Sequence, residues 1–140
     1  MQEIGTYPFV IKNRKIHVML ITNSSGKLWI LPKGHPESDL KKTQVAKLES
    51  YEEAGVIGKI FNAKLNKEFK RDNGSTLLVY PLNIIKILDK WPEDNFRKRT
   101  LVNIKDALKL VTRKEHLNAI KYFSSPKISL TLIQTTLKNT

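Results

Sequence analysis

Residues 31–56 read LPKGHPESDLKKTQVAKLESYEEAGV. From about Thr43 to Ala54 the stretch has neither Gly nor Pro and is dominated by helix formers, which predicts a helix. Gly55 suits the position just past its end, where φ is often positive. Glu49, Glu52 and Glu53 stand at i, i+3 and i+4, so a helix puts all three on one face. Carboxylates that close repel one another and need either a counter-charge or water. A hard divalent cation answers that need, because Mg²⁺ prefers oxygen ligands and is commonly held by a few carboxylates together with substrate phosphates. The plainer alternative is a solvated acidic face paired with Lys41, Lys42 and Lys47.

The rest of the chain sharpens the question. Lys and Arg number 25 against 13 Asp and Glu, a formal charge of +12 over 140 residues. Five of those acids (Glu37, Asp39, Glu49, Glu52 and Glu53) fall within this one stretch. An acidic island in a basic protein implies a cation site inside a field that attracts anions. The length favours one domain, taken as residues 1–123, with 124–140 as a tail of unassigned role. Cysteine is absent, which excludes disulfides, thiolate zinc sites and cysteine nucleophiles and makes a cytoplasmic setting the expectation. The opening MQEIGTYPFV lacks the basic and long apolar segments of a signal peptide. No stretch reaches transmembrane length, so no membrane partner is expected.

Residues 15–22 (KIHVMLIT) and 27–31 (KLWIL) predict strands joined by the NSSG turn. Residues 32–38 predict a loop punctuated by Pro32, Gly34 and Pro36. Residues 63–88 predict two strands joined at Asn73-Gly74, with Pro81 marking an edge or a bulge. Residues 91–100 read as a polar loop and TLVNI (100–104) as a short strand. Asn103 can cap a helix over 104–111, and TRKE (112–115) has capping-box spacing for a second helix ending near Phe123. The tail leaves a strand, a packed arm or a frayed end equally open. This order predicts an α/β fold, a mixed β-sheet flanked by helices on both sides.

The quoted stretch resembles the signature of the Nudix hydrolases, G-x5-E-x7-R-E-U-x-E-E-x-G-U with U aliphatic. Gly34, Glu49, Glu52, Glu53, Gly55 and Val56 match it with the spacing intact. WILPKGHPE upstream and WPEDNFRKRTLVNIKDAL downstream are similar to segments of the branch acting on diphosphoinositol polyphosphates and diadenosine polyphosphates. Leu101 stands where that branch often has Trp. The resemblance covers roughly residues 5–123 and implies a Nudix-type α/β/α sandwich. Three positions depart from the signature: Leu40 replaces its first Glu, Leu48 its Arg and Ser50 an aliphatic. In the family that Glu and Arg form an ion pair between loop and helix. Losing one partner of a buried pair strands a charge, whereas replacing both with apolar groups can be neutral. A Leu40–Leu48 contact is therefore expected to hold the same junction.

The resemblance implies a Mg²⁺-dependent (or Mn²⁺-dependent) pyrophosphohydrolase in which a metal-activated water attacks a diphosphate. It makes Glu49, Glu52, Glu53 and the backbone carbonyl of Lys33 the metal ligands. Glu52, Glu53 and Glu93 are the catalytic carboxylates, with the general base either Glu52 or Glu93. Lys33, Gly34, His35, Arg14, Arg71, Arg97 and Arg99 are the expected substrate contacts, and Lys70 is a further basic candidate, since Arg grips phosphate bidentately. His17 and His116 are expected to be structural, and Trp29 and Trp91 core or rim residues. The expected partner is a polyphosphorylated small molecule, a dinucleoside polyphosphate or a diphosphoinositol polyphosphate. Nucleoside triphosphates or RNA 5′ ends are the alternative substrates, and a phospho-ligand or protein binding module is the alternative class. No RNA-binding motif is visible, and monomer and homodimer both stay open.

Overall fold

The computed structural model describes residues 1–139. Only Thr140, the end of the predicted tail, lies outside them. Eight strands form one mixed sheet: β1 Gln2–Lys12, β2 Lys15–Thr22, β3 Trp29–Ile30, β4 Lys33–Gly34, β5 Val56–Lys59, β6 Lys67–Lys70, β7 Thr76–Ile87 and β8 Arg99–Asn103. Four helices accompany them: α1 Lys42–Ala54, α2 Ile104–Leu110, α3 Lys114–Phe123 and α4 Pro126–Lys138. The main path across the sheet runs β3-β2-β1-β7-β5, with β4 added to β1, β6 to β7 and β8 to β2.

The centre of the sheet is β1, a strand the sequence does not announce. It pairs antiparallel with β2 from Phe9–Val18 to Lys12–Lys15 and parallel with β7 from Gln2–Thr76 to Phe9–Asn83. Asn13 and Arg14, at φ 51° and 64°, turn the β1–β2 hairpin in the primed geometry that suits a two-residue loop. Pro81 falls between the last β6 partner, Val79, and the first β5 partner, Asn83. β7 is thus locally an edge on that side, as the proline required.

Alternation along the strands fills both faces. Val18 and Leu20 join Leu77, Val79, Ala107, Ile120 and Phe123 under α2 and α3, while Met19 and Ile21 join Ala54 and Val56 on the α1 side. Burial on both faces explains the unbroken apolar run of β2. The tail is a packed arm in helical form, not a strand or a frayed end. Ser125 precedes Pro126 at its first turn, and Leu132 is buried in the same cluster as Phe123. α3 begins at Lys114 with Arg113 as its N-cap and no side-chain cap bond, so the predicted Thr112 capping box does not form. Asn103 does cap α2, accepting from the Asp106 amide at 2.8 Å. No helix among the described residues is long and apolar enough to cross a membrane.

Candidate active site

α1 carries the three predicted acids, and two devices fix them. The first is the β4 loop. The Lys33 amide donates to Glu53 Oε1 at 3.1 Å, and Gly34 lies so close to Glu49 that a Cβ there would coincide with the Glu49 carboxyl group. The second is the 88–99 segment, which satisfies the carbonyls that the last turn of a helix leaves without partners. The Glu93 amide donates to the Glu52 carbonyl (3.1 Å), Trp91 Nε1 to that of Glu53 (3.0 Å) and Arg99 Nη1 to that of Ala54 (2.9 Å). Arg99 also stacks on Trp91, 3.8 Å from the ring centroid. Gly55, at φ 65°, makes room for both, since a Cβ would meet Arg99 and Trp91.

Arg97 is the hub. Its guanidinium reaches Glu53 Oε2 at 3.3 Å, Glu93 Oε1 at 2.6 Å and the Thr22 carbonyl at 2.9 Å. Burial pushes the Glu53 carboxyl up to about 8, with Glu49 adding to the rise and the Lys33 amide and Arg97 opposing it. Burial also raises Glu49; its hydrogen bond with Glu53 works against that, and Glu52, Glu93 and Glu37 reinforce it. Both carboxyls of the hydrogen-bonded Glu49–Glu53 pair are thus raised, the mark of negative charge that the protein leaves short of compensation.

That electrostatic shortfall, met by oxygen donors alone, fits a hard divalent cation. Among the described residues no three His, Asp or Glu side chains already converge as a ready-made cage. Glu53 instead engages Lys33 and Arg97.

The predicted substrate contacts divide. Lys33 and Gly34 lie against the acids of α1, and Lys33, His35 and Arg71 gather round Glu3. Lys33 Nζ pairs with Glu3 at 3.0 Å, and Arg71 pairs with Glu3 and Glu115 at 2.7 Å each. Burial alone would raise Glu3, but Lys33, Arg71 and His35 hold its carboxyl below the usual range. Arg97 and Arg99 are at the site with their donors committed to protein acceptors, so they position the acids. Arg14 is not brought there. It sits at the tip of the β1–β2 hairpin, roughly 25 Å along β1 from the Lys33 partner Gly5. Lys70 ends β6 and is exposed. His116 is buried, its Nδ1 accepting from the Leu31 amide at 3.1 Å. His17 is partly buried in β2. Trp29 packs on the main core.

Glu3, Thr22 and the capping role of Trp91 escape the sequence reading. Each acts across a long separation, and only the position of WPED and RKR after the acid helix hinted at them. The departures from the signature have local explanations. Leu40 packs on Ile4, Val45, Ala46, Leu78 and Tyr80, a cluster that does not include Leu48. Ser50 is buried, 2.6 Å from the Thr6 hydroxyl, and donates to the Ala46 carbonyl at 2.9 Å.

No family model matches the chain. Individual relatives do. Nudix hydrolase 21, chloroplastic, of Arabidopsis thaliana is 31% identical over 134 residues, covering 90% of this chain and 67% of that protein. Diphosphoinositol polyphosphate phosphohydrolase 3-beta of Bos taurus is 33% identical over 122 residues, covering 81% and 74%. Among solved structures, C. elegans Ap4A hydrolase shares the fold with a TM-score of 0.68 at 18% identity, over 89% of this chain and 96% of that one. The NUDIX domain of Shewanella oneidensis NrtR complexed with ADP ribose gives 0.67 at 16% identity, over 86% and 84%. With the acids, glycines and capping segment in the places the signature requires, and with relatives above 30% identity spanning most of the chain, this protein belongs to the Nudix hydrolase family.

Proposed function

We propose that this chain hydrolyses a diphosphate linkage in a multiply phosphorylated small molecule, a dinucleoside polyphosphate or a diphosphoinositol polyphosphate, with the help of Mg²⁺ or Mn²⁺. The observation that carries the reading is the Glu49–Glu53 pair, Glu53 buried and Glu49 half-buried, short of positive charge against the Lys33–Gly34 loop. The named activities of the two relatives at the phosphohydrolase end of the comparison, diphosphoinositol polyphosphate phosphohydrolase and Ap4A hydrolase, support the substrate class. The charge of +12 supports a substrate with several phosphates.

Glu49, Glu52, Glu53 and the Lys33 carbonyl would hold the cation. When bound it would lower the pKa of a water and offset charge on the bridging oxygen. The chain's own residues do the rest. Arg97 fixes Glu53 and Glu93 in one orientation. The Trp91–Arg99 stack holds the end of α1 rigid, which preserves a reacting geometry. Glu52 is the better proton acceptor of the two candidate bases. Among the described residues its carboxylate has no ion-pair partner, whereas Glu93 is engaged by Arg97 at 2.6 Å. His35, exposed beside Lys33, is placed to donate to a phosphate oxygen.

The Arg97–Glu53 contact favours one other reading, a fold that binds a phosphorylated ligand without turning it over, because Glu53 already has a cationic partner. A panel assay with Mg²⁺ separates the two. It would use dinucleoside polyphosphates, diphosphoinositol phosphates, nucleoside triphosphates, ADP-ribose and 5′-triphosphorylated RNA. Turnover of a polyphosphate that Glu53→Gln abolishes is the expected result. Tight binding that ignores Mg²⁺ with no turnover of any of them would sink the hydrolase reading.

A further inference from the structure

Next to the β4 loop lies a cleft of about 520 Å³ whose walls include Glu3, His35, Arg71, Arg113 and the turn at Asn73–Ser75. Lys33 joins the cleft to the acids, its amide donating to Glu53 and its ammonium to Glu3. Two cations hold Glu3, Lys33 Nζ at 3.0 Å and Arg71 Nη2 at 2.7 Å, and the His35 ring lies beside it with Nε2 at 4.0 Å. An anion held by an ammonium and a guanidinium together is the contact a phosphate makes in such a place. Arg71 does not require Glu3 as its counter-ion, because Glu115 lies 2.7 Å from its Nε. Arg113 faces the same cleft, and among the described residues no carboxylate pairs with it.

The strand register explains how a carboxylate comes to sit there. Glu3 is one residue before Ile4, whose partner across the β1–β4 ladder is Gly34. Its side chain is 16% exposed, so it is a fixed part of the wall rather than a mobile surface group.

We propose that Glu3 is a specificity-determining residue: its carboxylate fills the anion seat of Lys33 and Arg71, leaves His35 and Arg113 to the ligand, and so limits how many phosphates a substrate can place in the cleft. This rests on the reading of the Glu49–Glu53 pair as the place where the diphosphate is cut. A second anion brought to within a few ångströms of Glu3 meets a like charge and finds its two best donors taken, an effect on the order of tenfold or more in affinity.

The test uses the full chain and tripolyphosphate, titrated calorimetrically without divalent cation at fixed ionic strength. Glu3→Gln is expected to bind at least about tenfold more tightly than the wild type, and Glu3→Asp, which keeps the charge, within about threefold of it. Glu3→Thr, suited to a strand, is a second neutral variant should Glu3→Gln fold poorly. Unchanged affinity in a folded neutral variant overturns the proposal, as does an equal gain in Glu3→Asp. In the Mg²⁺ assay the KM for a dinucleoside pentaphosphate falls by the same factor in Glu3→Gln with kcat within about twofold, while the KM for ADP-ribose stays within about twofold. If tripolyphosphate binding tightens but no variant hydrolyses anything, the hydrolase reading fails and Glu3 keeps its role. If hydrolysis proceeds and binding does not change, the role of Glu3 fails alone.

Discussion

Arg97 Nη2 lies 3.3 Å from Glu53 Oε2, and the same guanidinium holds Glu93 and the Thr22 carbonyl. One planar fork thus ties the end of β2 and the 91–97 segment to the acid helix. Replacing it with Gln removes charge-assisted bonds in a nearly buried setting. We expect Arg97→Gln to lower unfolding free energy by about 2 kcal/mol in a urea titration. Arg97→Lys recovers little of it, because an ammonium cannot serve three acceptors in one plane.

Gly34→Ala tests the close approach to Glu49. The added methyl group displaces the carboxylate rather than the backbone, which is not at positive φ there. Hydrolysis is expected to fall by about 100-fold, with a melting temperature within a few degrees of wild type.

His116 sets an acid limit on stability. Burial, then the charges of Lys33, Arg71 and Arg113, lowers its pKa from 6.5 to about 3. The unfolded chain therefore binds a proton between those values that the folded one refuses. The His116 contribution is fully present well above pH 6.5 and declines as pH falls toward 3, by about 2 kcal/mol at pH 5, while the raised Glu53 carboxyl works in the opposite direction over the same range. Urea titrations of the wild type and His116→Gln at pH 5 and pH 7.5 isolate it: on going to pH 5 the variant should change by about 2 kcal/mol more favourably than the wild type.

Leu40 and Leu48 were expected to replace an ion pair with a mutual contact. In the structure Leu40 packs against the cluster of Ile4, Val45, Ala46, Leu78 and Tyr80, and we expect that cluster to carry most of its anchoring. Leu40→Ala is expected to cost about 2 kcal/mol. A double-mutant cycle with Leu48→Ala should show coupling below about 0.5 kcal/mol. Coupling above about 1 kcal/mol would restore the direct-contact view.

Glu49, Glu52 and Glu53 were legible because helical periodicity alone puts them on one face, and Gly55 because the helix must end. Arg97 and Arg99 were visible as basic residues near the site, yet their role was not. Whether a guanidinium meets phosphate or backbone carbonyls depends on where α1 ends in space. Glu3 gave no signal, since its cationic neighbours Lys33 and Arg71 converge only in the folded sheet. β1 was missed because Gly5 and Pro8 interrupt its β-forming pattern and its identity comes from the strands on either side. α4 could have been found from Ser125-Pro126 and the i, i+4 spacing of Ile128 and Leu132.

The parallel pairing of Gln2–Phe9 with Thr76–Asn83 has a consequence in time. The central strand is made well before its partner β7, and β8, which pairs with β2, comes later still. During synthesis β1 can pair only with β2 and the short β4 until β7 emerges, so the sheet closes late and through non-local contacts, the slow route to folding. The acid helix emerges before the segment that ties down its last carbonyls, so catalytic competence is among the final properties the growing chain acquires.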